Sequence, residues 1–187
     1  MMETYEDYEE FEQYLIENED HKVIGIDLCA LTYNHHFDEL ELEELTPDQY
    51  YQVGLYYYDQ RKYDEALECF RLGEECEDVD CLCVLGYMYE KGQGVKQNNQ
   101  VAMTYYKLAS DLGSVVASCN LAYFYEYGID VEQDYEKAYE LYSLGLDEKF
   151  PRSLFSTAFF LQHGLGVEQD LDCLLYTSPS PRDPKTS

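Results

Sequence analysis

Residues 85–113 read LGYMYEKGQGVKQNNQVAMTYYKLASDLG, and residues 121–149 read LAYFYEYGIDVEQDYEKAYELYSLGLDEK. Set one over the other, Leu85 meets Leu121, Tyr89 meets Tyr125, Gly92 meets Gly128 and Val95 meets Val131. Ala102 then meets Ala138 and Tyr106 meets Tyr142, all at a step of 36 residues. A further step reaches Ala158, Leu161, Gly164, Gly166, Val167 and Asp170. Self-similarity at this period is the signature of stacked helical hairpins. Val53, Gly54 and Tyr57 stand 32 residues before Leu85, Gly86 and Tyr89, whereas Ala66, Phe70 and Gly73 stand 36 before Ala102, Tyr106 and Ala109. The four missing residues fall between two helical halves, so this first copy shortens only its turn.

Each copy reads as two helices. The first carries apolar residues at i and i+4, such as Leu85 and Tyr89, and stops at Gly92, a natural left-handed cap. The connector GQGV or GIDV turns the chain, with Val95 or Val131 placed to plug the space between helices. The second helix presents Ala102 and Tyr106, or Ala138 and Tyr142, on one face, alanine allowing close approach and tyrosine filling the gap beside it. One pair cannot bury both of its faces, so neighbours must stack.

The pattern resembles the Sel-one-like repeat (SLR), a relative of the tetratricopeptide repeat. The residues that carry the resemblance are Leu-Gly or Leu-Ala, the Tyr four positions on, Gly-x-Gly-Val or its variant, Lys137-Ala138, Tyr142 and the period. Departures are Asp130 for the second Gly, Val101 for the Lys and Thr157 for the Leu. The copy from Val53 is closer to a plain tetratricopeptide unit. The expected fold is an all-α, right-handed α-solenoid of antiparallel helix pairs behind an acidic, partly ordered N-terminal region. The expected organisation is a cap region over 1–46 and repeats over 47–172, divided at about 47–80, 81–116, 117–152 and a truncated 153–172.

The ends differ from the repeats. Between Met1 and Asp48 sixteen acidic residues accompany one lysine, a net charge of −15 within the chain's −27. Tyr5, Tyr8, Phe11, Tyr14 and Leu15 recur at helical spacing, so residues 3–17 suit a short amphipathic helix. KVIGIDLCAL fits a strand or a buried helix turn equally, and Thr46-Pro47 suits an N-cap followed by the first helical position. Cys173 to Asp183, CLLYTSPSPRD, resembles the conceptual translation of a transposase adapter used in sequencing libraries. Residues 173–187 are therefore set aside from fold reasoning, and the natural chain is expected to continue past about Asp172.

Composition narrows the function. The chain has 187 residues with 39 Asp+Glu, 12 Lys+Arg, 45% hydrophobic residues, 21 Tyr, 8 Phe and no Trp. That acidity without a basic stripe argues against nucleic acid or anionic lipid as the partner. No basic-then-apolar leader or membrane-length apolar run occurs, and seven cysteines form no CxxC, so a reduced, cytoplasmic protein is expected. No P-loop, GxSxG or HExxH motif is present. His35-His36 with Cys29 and Asp38 match no familiar metal spacing, and Cys81 and Cys83 suit packing at a helix start. No catalytic residue, cofactor or metal is expected.

The SLR resemblance implies that the first helix of each pair lines a concave side. Leu55, Tyr87, Tyr123 and Phe159 form one ladder there. Beside it run Tyr58, Glu90, Glu126 with Tyr127, and Gln162 with His163. Aromatic anchors among carboxylates suit a peptide bearing Lys or Arg, so Tyr58, Tyr87, Glu90, Tyr123, Glu126, Tyr127 and Phe159 are the candidate partner-binding residues. The role implied is a non-catalytic scaffold or adaptor for protein partners. The alternative is the regulatory portion of a longer enzyme, such as a kinase, whose catalytic domain follows. A secreted, disulfide-bridged SLR protein would instead require an oxidised thiol pair in each copy.

Overall fold

The structure, a computed structural model, describes residues 47–170. The acidic region 1–46, including the expected helix over 3–17, KVIGIDLCAL, Thr46 and the His35-His36 pair, lies outside the described residues, as does everything from 171 onward. Among the described residues there are seven helices and no strand. They are α1 (Pro47–Asp59), α2 (Tyr63–Glu75), α3 (Val79–Lys91), α4 (Asn99–Asp111), α5 (Val115–Tyr127), α6 (Tyr135–Ser143) and α7 (Pro151–His163). Contacts run chiefly between chain neighbours: α1 with α2, α3 with α4 and α5 with α6 as hairpins, and α2 with α3, α4 with α5 and α6 with α7 as the stacking surfaces. First helices of adjacent hairpins also touch, α1 with α3 and α5 with α7. This is the sequential packing of an α-solenoid.

Helix ends repeat with the sequence. Asp78 and Ser114 cap the first helices α3 and α5, accepting from the amides of Cys81 and Ala117. Asn98 and Asp134 do the same for the second helices α4 and α6. Gly92, Gly128 and Gly164 close α3, α5 and α7 in the left-handed conformation, as the spacing predicts.

The connectors after these glycines are built alike. The amides of Asn98, Asp134 and Asp170 donate to the carbonyls of Tyr89, Tyr125 and Leu161 at 2.8, 2.9 and 3.0 Å. The side-chain amides of Gln97, Gln133 and Gln169 donate to the carbonyls of Glu90, Glu126 and Gln162 at 2.9, 2.7 and 2.8 Å. Each connector also docks on the start of the preceding second helix. A Cβ at Gly94 would stand 2.9 Å from the Tyr63 carbonyl oxygen, and one at Gly166 would overlap the Tyr135 backbone. Asp130 occupies the equivalent place with φ of 52° and meets Asn99 by a hydrogen bond from the Asn99 side-chain amide at 2.8 Å. Aspartate tolerates this left-handed backbone better than most side chains, so the departure from glycine leaves the turn intact.

Packing explains why the pattern is kept. Ala102 and Ala138 are fully buried where each second helix crosses its first helix, and so are Phe70 and Tyr106, with Tyr142 at 1% exposure. A Cβ on Gly54 would overlap the Phe70 ring, and one on Gly86 would lie 2.8 Å from Tyr106 Cδ1. In the next hairpin this position is Ala122, so α5 and α6 accommodate one methyl more. Each ring also faces the following hairpin. Tyr106 lies 6.1 Å from Phe124 and Tyr142 lies 5.7 Å from Phe160, centroid to centroid. Elsewhere on the stacking surface small residues meet: Gly73 is pressed on Cys81, and Gly145 on Ser153 and Val115. Thr157 stands at the register position of Leu85 and Leu121, and its buried hydroxyl finds no hydrogen-bond partner.

Gly86→Ala tests the close approach. Alanine favours the helix by about 1 kcal/mol over glycine, whereas displacing a packed ring costs roughly 1–3 kcal/mol. The variant is therefore expected to unfold at lower urea concentration than the parent, with an unchanged slope of the transition.

Candidate interaction face

Three of the first helices carry a side-chain pair at i and i+4 that involves a ring, a spacing that places both side chains on one helix face. In α3, Lys91 Nζ lies 5.5 Å from the Tyr87 ring centroid. In α5, the Tyr123 and Tyr127 rings are 4.5 Å apart, and in α7 the Phe159 and His163 rings are 4.1 Å apart. The rungs differ in access. Leu55 and Tyr87 are each 3% exposed, Tyr123 and Phe159 are half-buried, and Tyr127 is 44% exposed. Tyr58 is half-buried, donates to the Gln93 side chain at 2.6 Å and meets the Tyr63 ring edge-on.

The carboxylates beside the ladder have partners inside their own hairpins. The Tyr106 hydroxyl donates to Glu90 Oε2 at 2.8 Å, and the Tyr142 hydroxyl donates to Glu126 Oε2 at 2.7 Å. Glu90 also pairs with Lys91 at 3.1 Å, and Glu126 is only 8% exposed. Burial, and then the neighbouring carboxylate of Glu90, pushes the Tyr106 hydroxyl well above its ordinary range. Tyr142 is likewise raised, first by burial and then by Glu126, against a lowering from Arg152. These tyrosine–glutamate bonds latch second helix to first at the same register in two successive hairpins.

At the junction of α5 with α7 the ladder meets a polar cluster. Arg152 Nη1 donates to Asn120 Oδ1 at 3.2 Å, and the guanidinium lies 5.6 Å from the Tyr123 ring centroid. Burial pulls the guanidinium pKa down, but Tyr142, Cys119 and Glu126 beside it leave the net shift upward. Cys119 Sγ and Ser153 Oγ are 3.1 Å apart within the same cluster.

The thiols have the character of core residues. Cys69, Cys76, Cys81, Cys83 and Cys119 are free, and all but Cys76 are buried. Burial, then Glu68, pushes Cys69 up to about 12, and burial, then Asp80, pushes Cys83 up to about 12. Thiols held in their protonated form are poor nucleophiles. Among the described residues no cluster of His, Cys, Asp and Glu is arranged to hold a metal ion, and no helix is long and apolar enough to cross a membrane.

Sequence register does not reveal depth: Leu55 and Tyr87 are buried, whereas Tyr123 and Phe159 at the same register are half-buried. It also passed over Gln97, Gln133 and Gln169, whose identity at a 36-residue step was the available signal. The Asn120–Arg152 contact joins residues 32 positions apart and interrupts the repeat, so periodicity could not reveal it.

A stacked array of helical hairpins with this connector defines a repeat-protein class, and comparison with known proteins agrees. The Sel1 repeat family model matches residues 79–114, 115–148 and 151–172, and over that span the chain belongs to the Sel1 repeat family. Sel1 repeats typically mediate protein–protein interaction and are generally non-catalytic. Among solved structures, a Sel1 repeat protein from Oxalobacter formigenes is 23% identical with a TM-score of 0.61, the match covering 63% of this chain and 49% of that one. The protective antigen c5321 of uropathogenic Escherichia coli, described as displaying an SLR fold, is 24% identical with a TM-score of 0.66, covering 72% of this chain and 29% of that one. The match thus takes in about half of the first and under a third of the second. A search of the curated proteins returned no match.

The latches predict an alkaline limit. Tyrosines whose folded pKa lies above the ordinary 10.0 of a free tyrosine keep their stabilising contribution below that pH. They lose it as pH rises further, because the unfolded chain ionises first. Tyr142→Phe, which removes the hydroxyl that donates to the largely buried Glu126 carboxylate, is expected to cost about 1–3 kcal/mol at neutral pH. Tyr106→Phe should cost less, since Glu90 is more open to solvent than Glu126 and water can replace the lost donor. The double variant should show a shallower loss of stability above pH 10 than the parent when denaturant midpoints are followed by circular dichroism.

Proposed function

We propose that this chain is a non-catalytic scaffold or adaptor that holds a basic segment of a partner protein along the first-helix ladder. The observation that carries this reading is the tilted Tyr123–Tyr127 ring contact, with Tyr127 44% exposed and side-chain pairs at the same spacing in α3 and α7. Rings that pack against a neighbour at i, i+4 lose less freedom when a partner covers them. A lysine or arginine over such a ring gains about 0.5–2 kcal/mol.

Charge supports the partner class. Residues 47–170 hold 22 Asp+Glu against nine Lys+Arg. A field of that sign speeds the approach of basic segments and weakens with salt. In this reading Tyr123, Tyr127 and Phe159 touch the partner. Tyr58, Tyr87, Glu90 and Glu126 stand behind them, fixing the helices that present the rings. The five free thiols among the described residues support residence in a reducing compartment such as the cytoplasm.

An acetylated, amidated (Lys-Ala)6 peptide is a suitable probe, followed by fluorescence anisotropy. Tyr127→Ala and Phe159→Ala should each weaken its binding about fivefold to thirtyfold with helical content unchanged. Binding should also fall as salt rises. Equal affinity for a (Glu-Ala)6 peptide, or full affinity in both variants, would remove the reading.

A further inference from the structure

We infer that Asn120 and Arg152 form a subsite within the ladder face that takes a neutral main-chain carbonyl oxygen of the bound segment, an assignment that rests on the ladder reading. The register sets these two residues apart. Asn120 stands where α3 has Val84, which is fully buried, and Arg152 stands where α5 has Val116. An apolar pair therefore serves the fold at the preceding junction, and the polar pair is not required for stacking.

Hydrogen bonding leaves one donor over. Asn120 is 4% exposed, its Oδ1 accepts from Arg152, and its Nδ2 has no partner. Turning the amide over would set two donors face to face, so the geometry fixes the oxygen towards the guanidinium. A buried amide N–H without an acceptor is costly to keep. An incoming acceptor relieves that cost only if it reaches this atom.

Charge selects the acceptor. Arg152 sits beside the Glu126 carboxylate, so the cluster carries no surplus positive charge to attract an anion. The whole chain, at −27, repels one. What remains is an uncharged N–H donor, matched by an uncharged carbonyl. Its placement fits a segment lying on the ladder, because Asn120, Tyr123 and Tyr127 fall at i, i+3 and i+7 on one face of α5. Arg152, which reaches both Asn120 and the Tyr123 ring, is the side chain that must shift to admit the ligand.

Asn120→Val installs the residue of the preceding junction. It should leave thermal stability unchanged or raised, while affinity for acetylated, amidated (Lys-Ala)6 falls about tenfold, the loss of one well-made hydrogen bond. In the parent protein, N-methylacetamide should shift the Asn120 side-chain amide resonances saturably, and sodium acetate at equal concentration should not. Undiminished peptide affinity in Asn120→Val, a destabilised variant, or a response to acetate in place of N-methylacetamide each overturns the subsite. If Tyr127→Ala weakens binding and Asn120→Val does not, the subsite fails and the ladder reading stands. If neither variant weakens binding, both fail.

Discussion

The structure depends on one recurring contact, an aromatic ring on each second helix wedged against a residue with little or no side chain on the first. Phe70 on Gly54, Tyr106 on Gly86 and Tyr142 beside Ala122 are successive copies. The same ring reaches across the stacking surface, Tyr106 to Phe124 and Tyr142 to Phe160. One side chain thus closes a hairpin and joins it to the next. This dual use makes the 36-residue period strict, because moving the ring by one position would break two interfaces together. It also makes the array cooperative between neighbours without contacts over longer range.

The polar groups that accompany this core do two jobs. Tyr106 and Tyr142 are buried rings with a hydroxyl that must be satisfied, and Glu90 and Glu126 accept from them. The carboxylates that sequence register set beside the ladder are thereby tied to the scaffold. The ladder itself becomes a row of rings and cations, Lys91 on Tyr87 and Arg152 on Tyr123, within a chain of net charge −27. Such a face combines short-range stacking with a long-range field of opposite character. Proteins use that division to separate the speed of encounter from the selectivity of the bound state.

Departures from the repeat are informative because the regular copies serve as internal controls. Asp130 keeps the left-handed turn of Gly94 and Gly166 and replaces their close approach with a side-chain hydrogen bond to Asn99. Thr157 replaces a leucine and gains no hydrogen bond, a local cost for which the packing gives no return. Asn120 and Arg152 replace valines and bring an unsatisfied donor to the ladder. The first departure is compensated within the fold. The others are not, and the last lies beside the Tyr123 ring.

By itself the sequence determined the hairpin period, the helix ends at Gly92, Gly128 and Gly164, the shortened first turn and the identity of the buried Ala–Tyr pairs. These are local or periodic properties, set by backbone preference and by the repeat of apolar residues, and each is written within a few turns of chain. Only the tertiary structure decided how deep each ladder residue sits, that Tyr87 is covered while Tyr127 faces outward, and that Glu90 and Glu126 turn towards tyrosines sixteen positions away. It alone brought Arg152 onto Asn120. Burial and hydrogen-bond choice depend on which surfaces meet when separate helices pack, and equivalent positions in a repeat meet different neighbours.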